Sequence, residues 1–199
     1  IKWLIKLKDN KNAIDIVTSL GSLLRKGVNV GENFTTVNEE IEHVKAYLRI
    51  QKIRYDDKFD VKWDVEEKIM HVKILRFILQ PIVENAIHHG LELKEGTGYI
   101  MIRGYCNRNK IFFEIEDDGV GMNRDKLYQV DSILHGNQRH HPSVGLKNVN
   151  DRIKLNFGDE YGVSIISEEG KGTVVRISLP LINDISDKEN LHVQNNDCR

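Results

Sequence analysis

Two periods of apolar residues alternate along this chain. Ile14, Val17, Leu20 and Leu24 continue a helical spacing begun by Trp3, Leu4 and Leu7. Gly27, Asn29 and Gly31 interrupt it. Thr36-Val37-Asn38-Glu39 then has the form of a capping box, in which two side chains satisfy the free amides opening a helix. That second helix presents Val37, Ile41, Val44, Leu48, Gln51 and Tyr55 along one stripe. Both stripes suit core packing, and both suit a helical dimer interface.

From residue 59 the period becomes two. Phe59, Val61, Trp63 and Val65 alternate with polar residues, which predicts a strand with one buried face. Residues 72–90 are rich in Ile, Leu and Val and predict a long helix. Pro81 inside it removes an amide donor and predicts a kink costing about 3 kcal/mol unless compensated. Gly90 suits the left-handed position that ends a helix. Strands are predicted at 98–106 and 110–117, joined by a turn through Asn107 and Asn109. A polar stretch at 118–144 carries a short helix at 124–134. A helix over 145–156 and a hairpin of 162–168 with 173–180 follow. Beyond Pro180 the composition turns polar, which predicts a disordered tail over 183–199.

The 199 residues are 40% hydrophobic and 30% charged, as a globular protein with a core requires. A net charge of −1 supplies no basic field, so no nucleic-acid partner is expected. Cys106 and Cys198 have no spacing for a disulfide framework or a zinc site. No apolar run reaches the roughly 20 residues a membrane span needs, and no signal peptide opens the chain. Ile1 stands where a Met would start a complete protein, so a fragment of a longer, cytoplasmic part is expected.

Chemistry concentrates in four places. Residues four apart share a helix face, so Asn85 pairs with His89 and Glu84 with His88. Polar groups in so apolar a helix line a cleft, meet partners or face solvent. An Asn carbonyl is a hard-oxygen ligand for Mg²⁺, and Glu84 can polarise a water or hydroxyl. Asp117-Asp118-Gly119-Val120-Gly121 ends a strand in a glycine turn. There a carboxylate can accept from an exocyclic amine, and the glycines let a flat ligand approach. Gly145 opens a helix whose free amides, with Lys147 and Asn148 in the first turn and Arg139, His140 and His141 upstream, suit a polyphosphate. Gly170-Lys171-Gly172-Thr173 precedes the last alternating strand. Each of these has an ordinary structural reading when taken alone.

In this order, E-N-A-x-x-H-G, D-x-G-x-G, a long polar loop, G-L-x-N and G-x-G-T resemble the GHKL ATP-binding superfamily. LQPIVENAIHHG and VGLKNVNDRIKLNFG resemble its sensor histidine kinases with an HFLFNSL-type phosphoacceptor box. The stretch TVNEEIEHVKAYLRIQKIRYDDKF resembles their helical segment. The resemblance covers residues 1–182 and implies an α+β fold: a two-layer sandwich with a mixed sheet covered by helices on one face. It implies a helical dimerisation segment at 1–57, an ATP-binding catalytic domain at 58–182 and the tail at 183–199.

By that resemblance Asn85 is the Mg²⁺ ligand, Glu84 its acidic neighbour, and His88 and His89 lie near the phosphates. Asp117 binds the adenine amino group, and Gly119 and Gly121 shape the base pocket. Residues 122–144 form an ATP lid, Gly145, Leu146, Lys147 and Asn148 meet phosphate, and Thr173 lies beside Asp117. The implied cofactors are ATP and Mg²⁺. The implied function is transfer of the γ-phosphoryl group to a histidine upstream of Ile1, then to a response-regulator receiver Asp. The implied parent is a membrane-anchored homodimer. Within the same superfamily an ATPase clamp is the alternative, and a non-catalytic docking module is another. Two positions depart from the pattern: Ser143 replaces a glycine, and Asp118 replaces the usual Asn and adds charge near the pocket. None of the eight histidines stands in an H-F-x-x-N context, and His43 reads as an exposed helical residue.

Overall fold

The computed structural model describes residues 9–27, 33–136 and 144–182. Helix α1 spans Asn10–Gly27, and a short strand β1 (Phe34–Thr36) leads into α2 (Val37–Arg54). The capping box closes as expected. Thr36 Oγ1 accepts from Glu39 N at 3.2 Å, and Glu39 Oε2 accepts from Thr36 N at 2.9 Å. Strand β2 (Phe59–Val65) and β3 (Lys73–Leu75) follow, then α3 (Gln80–Asn85), which widens into a π-helix over Ala86–Leu91. Next come β4 (Gly98–Asn107), β5 (Lys110–Asp117), α4 (Arg124–His135), α5 (Val144–Phe157), β6 (Gly162–Glu168) and β7 (Gly172–Pro180).

The main sheet has five strands in the order β2-β4-β5-β7-β6. β2 runs parallel to β4 and the remaining neighbours are antiparallel, so the sheet is mixed. Its inner face follows from the period of two: Ile100 and Ile102, then Ile111, Phe113 and Ile115, then Val175, Ile177 and Leu179, all buried. The same alternation continues one step further and puts Asp117 on that apolar face. The outer face is polar and cross-braced, with Arg103 and Tyr99 on Glu116 and Arg176 and Tyr105 on Glu114, all within 3.0 Å. The α+β sandwich expected from the sequence is thus present.

The region before β4 differs from its reading. Residues 73–75 are not helical, because they pair antiparallel with β1, Phe34 opposite Leu75. The helix starts at Gln80, which moves Pro81 into its first turn, where a missing amide costs nothing and no kink arises. β1 likewise interrupts the helical reading of 1–57. Val37, Ile41, Val44 and Leu48 of α2 belong to one core with Ile82, Val83, Ile87 and the sheet. α1 leaves Ile14, Val17 and Leu20 exposed along one side. The tail over 183–199 and the residues before 9 lie outside those described.

Candidate functional site

One cleft of about 560 Å³ opens between α3, its π-helix, the sheet and α4. Asn85 and His89 of the helix, Asp117 and Thr173 of the sheet, and the exposed Asp125, Lys126 and Gln129 of α4 all line it. Between them the walls are apolar, with Ile82, Ile115, Ile165 and Val175. Polar groups at the ends and hydrocarbon between suit a flat ring that carries a charged tail.

Asp117 is 5% exposed. Its Oδ1 accepts from Gly119 N at 2.9 Å, and the Thr173 amide also bonds to it. Burial nonetheless pushes its pKa up to about 7, with the charges of Asp118 and Glu116 adding to the rise. A carboxylate held this way has room for a further donor, and the cleft it lines offers one an approach. Asp118 adds charge beside the pocket, as its sequence position suggests, and is itself held in place. It accepts from Lys94 Nζ at 2.6 Å and from Tyr99 N at 2.7 Å, which anchors the start of β4.

The wall carrying Asn85 is pressed against the glycine turn by two glycines. A Cβ on Gly90 would lie 2.5 Å from Asp117 Oδ1, and a Cβ on Gly119 would fall on the Gly90 backbone. Gly90 is therefore not a left-handed helix end; the helix runs past it to Leu91, and no positive φ occurs there. Glycine is required by close approach instead. The π-helix frees the Gly90 carbonyl, which accepts from Val120 N at 3.2 Å, so the widened turn joins the helix to the glycine loop. Gly121, with φ of 64°, is the one glycine of that loop in the left-handed region.

The two i, i+4 pairs separate as their spacing requires. Asn85 and His89 face the cleft, where Asn85 Nδ2 is buried with no partner. Burial, then the charges of Lys126 and His88, lowers the His89 pKa and so favours the neutral ring. Glu84 and His88 face α2 and do not line the cleft: Glu84 accepts from Gln80 Nε2 at 2.7 Å, and His88 Nδ1 lies 3.2 Å from the Tyr55 hydroxyl.

On α5, Leu146 lines the cleft, and a Cβ built on Gly145 would lie 3.8 Å from Asn85 Nδ2. Lys147 is spoken for elsewhere, donating to the Gly136 carbonyl at 3.0 Å and to Asp151. Asn148 is exposed and Arg139, His140, His141 and Ser143 lie outside the described residues. His43 is buried rather than exposed, 2.6 Å from Gln80 Oε1 and edge-on to Phe77. Sequence reasoning missed Lys126, Asp125 and Gln129. The available signal was Asn123, a cap whose side chain accepts from Lys126 N and so starts a helix directly at the rim of the glycine turn.

Among the described residues no group of three or more His, Cys, Asp or Glu side chains could hold a metal, and no helix is long and apolar enough to cross a membrane.

Comparison with known proteins agrees with this geometry. Residues 70–183 match the family described as histidine kinase-, DNA gyrase B- and HSP90-like ATPase, and residues 1–59 match the histidine kinase family. The sensor histidine kinase YesM of Bacillus subtilis is 32% identical over 185 residues, 93% of this chain and 30% of YesM. The sensor histidine kinase BtsS of Escherichia coli K12 is 33% identical over 180 residues, 90% of this chain and 30% of BtsS. The chain thus spans less than a third of the length of these relatives. Among solved structures, the histidine kinase domain of the Erythrobacter litoralis blue-light activated kinase EL346 superposes with a TM-score of 0.56 at 16% identity, covering 94% of this chain and 86% of that one. The catalytic domain of histidine kinase ThkA gives 0.55 at 16% identity, with 74% and 95% covered. The chain belongs to the histidine kinase-, DNA gyrase B- and HSP90-like ATPase family.

Proposed function

We propose that the cleft binds Mg-ATP and serves a sensor histidine kinase. The reading rests on one observation: a buried carboxylate, Asp117, lines the same largely apolar cleft as Asn85 and His89. The adenine amino group donates to Asp117, and the triphosphate runs toward Asn85, His89 and the first turn of α5. Asn85 fits Mg²⁺ because the ion keeps several waters and takes phosphate oxygens, so it needs few protein ligands. When bound, Mg²⁺ neutralises charge on the phosphates. Gly119, Gly121, Leu146 and Thr173 shape the walls around the nucleotide, the exposed Asn148 is free to meet phosphate, and Glu84, His88 and Lys147 act outside its contact surface.

In the whole kinase the γ-phosphoryl group passes to a histidine imidazole and then to a response-regulator Asp. His43 is not that acceptor, being 6% exposed and bonded to Gln80. The exposed Ile14, Val17 and Leu20 of α1 are proposed as the homodimer face, residues 58–182 with α2 packed on them as the nucleotide-binding unit, and the cytoplasm as its compartment. Calorimetric titration of this chain with Mg-ATP and with adenosine tests the site. Saturable binding of both, tighter for Mg-ATP, is expected; absence of saturation with either ends the reading.

Two further outcomes follow from the electrostatics. Lys126→Glu removes one positive charge beside the phosphates and adds a negative one. Because the side chain is exposed at the rim, a roughly tenfold loss in Mg-ATP affinity, shrinking at high salt, is expected. Adenosine affinity should stay as it was, and a loss of both in calorimetry would mean that Lys126 supports the wall instead. Adenosine affinity should also depend on Asp117 ionisation. A donor to the carboxylate favours the charged form, so binding releases a proton wherever Asp117 is still protonated. Affinity should fall by up to about tenfold per pH unit below pH 7 and level off above it. The free chain moves oppositely. Its folded carboxyl titrates above the ordinary 3.8, so the contribution to stability is present below that value and is lost as pH rises to about 7. Titrations in buffers of different ionisation enthalpy would count the proton directly, and none released at pH 6 would remove Asp117 from the contact.

A further inference from the structure

The face of α3 and the π-helix that turns away from the cleft carries polar side chains at every fourth position: Gln80, Glu84, His88 and Glu92. The face of α2 and its cap that meets it does the same with His43, Tyr47, Gln51 and Tyr55. The two series run in parallel register. At one end His43 Nε2 lies 2.6 Å from Gln80 Oε1, and Gln80 Nε2 donates to Glu84 at 2.7 Å. Since the Gln80 amide nitrogen is the donor to Glu84, its oxygen accepts, and His43 Nε2 must carry the proton. In the middle, Tyr47 is near enough to Glu84 to feel its charge and bonds to Gln51. At the other end the Tyr55 hydroxyl donates to Glu92 at 2.8 Å, and His88 Nδ1 lies 3.2 Å from that hydroxyl and 3.1 Å from Glu92 Oε2.

We propose that this polar seam positions the nucleotide-facing side of the same helix, with His43 and Tyr55 as positioning residues for Asn85 and His89. Each cleft residue follows a seam residue directly in sequence: Asn85 after Glu84, His89 after His88. A helix is stiff along its axis, so the rotation or slide that would carry Asn85 and His89 out of line must first break the seam. An apolar contact would not serve this purpose as well. Hydrocarbon packing is non-directional and repacks after a small slide, whereas hydrogen bonds hold one register. The seam is also incompletely satisfied, since Gln51 Oε1 is buried with no partner. The seam therefore couples the position of α2 to the grip on the phosphate end of the ligand more strongly than to the adenine end, where β5 carries Asp117 and the helix touches it only through Gly90.

The proposal rests on the Mg-ATP reading of the cleft, and the experiment separates the two. Tyr55→Phe keeps the ring in its place between Phe59 and His88 and removes the hydroxyl. Calorimetry with adenosine and with Mg-ATP should show Mg-ATP affinity falling more than adenosine affinity, with the preference for Mg-ATP reduced about fivefold, the low end of ordinary coupling between sites. His43→Leu should do the same from the other end, and His43→Gln, which restores a side-chain N–H donor, should recover the preference. Coupling is reciprocal, so Mg-ATP should slow amide hydrogen exchange across residues 43–55 more than adenosine does, and Tyr55→Phe should erase the difference. A wild-type chain that prefers Mg-ATP, with Tyr55→Phe and His43→Leu keeping that preference within about twofold, overturns the seam alone. A wild-type chain with no preference for Mg-ATP overturns the cleft reading and the seam with it.

Discussion

Replacing Asp117 with Asn should cost adenosine affinity about a hundredfold or more. The carboxylate offers only acceptors, and the adenine amino group offers only donors. An Asn at this depth would keep one acceptor oxygen, but Gly119 N and the Thr173 amide already claim oxygen in the present arrangement. The new NH₂ group would then face either those amides or the incoming amine, donor against donor. A lost hydrogen bond to a charged group is worth roughly 1.5–3 kcal/mol, and a buried donor left without a partner adds a similar amount. The sum converts to two or more powers of ten in the dissociation constant. The free chain should move the other way. Asp117 is strained by burial and by its neighbours Asp118 and Glu116, so a neutral amide relieves that charge and stability above pH 7 should hold or rise. Loss of ligand affinity with retained stability is the signature to look for. Calorimetry paired with thermal melting reads both, and undiminished adenosine binding by Asp117→Asn would remove the adenine contact from the account.

The cleft was more legible in the sequence than the wall behind it. Asp117 stands where the alternation Ile111, Phe113, Ile115 calls for an apolar residue, and a misplaced polar group of this kind is visible without coordinates. The pairing of Asn85 with His89 was equally visible, because spacing alone decides which residues share a helix face. What Glu84 and His88 touch was not, since their partners Gln80 and Tyr55 become neighbours only when α2 lies alongside. His43 illustrates the same limit: a histidine next to Glu42 looks solvated until Phe77 and Gln80 close over it. Residues 72–79 misled for another reason. An apolar-rich run broken only by Lys73 and Arg76 shows no clear period, so β3 and the approach to α3 could not be told from helix by pattern. Pro81 did hold the information, because proline is favoured in the first turn of a helix and costly in its interior. Lys147 was assigned to phosphate from its place in a first turn, yet its long stem lets the ammonium reach the Gly136 carbonyl instead.

Truncating Glu40 to Ala should be the most destabilising single change outside the core hydrocarbon. Glu40 is 2% exposed, and its two oxygens accept from three consecutive backbone amides: Phe77 at 3.0 Å, Ile78 at 2.9 Å and Leu79 at 3.1 Å. Those amides lie just ahead of α3 and turn toward one point because Phe77 takes a left-handed φ of 55°, a conformation a bulky side chain adopts only when held there. α3 has no capping side chain of its own. Six α-helical residues and a π-turn are too short to persist alone, so the cap must come from α2. Glu40→Ala leaves three amides buried without acceptors and removes the restraint on Phe77. At roughly 1–3 kcal/mol for each unpaired amide, reduced where the segment relaxes, the expected loss is about 3–5 kcal/mol. Against a total of about 5–15 kcal/mol for a domain, that is roughly a fifth of the stability or more. Glu40→Gln should fall between, keeping one acceptor oxygen while turning an NH₂ group toward an amide. Urea unfolding followed by tryptophan fluorescence gives the comparison through the midpoint shift at constant slope. The loss should also reach the site, because the segment Glu40 caps opens the helix that carries Asn85. A Glu40→Ala chain that unfolds within about 1 kcal/mol of wild type would show that residues 77–79 find other acceptors, and that α3 does not depend on α2 for its start.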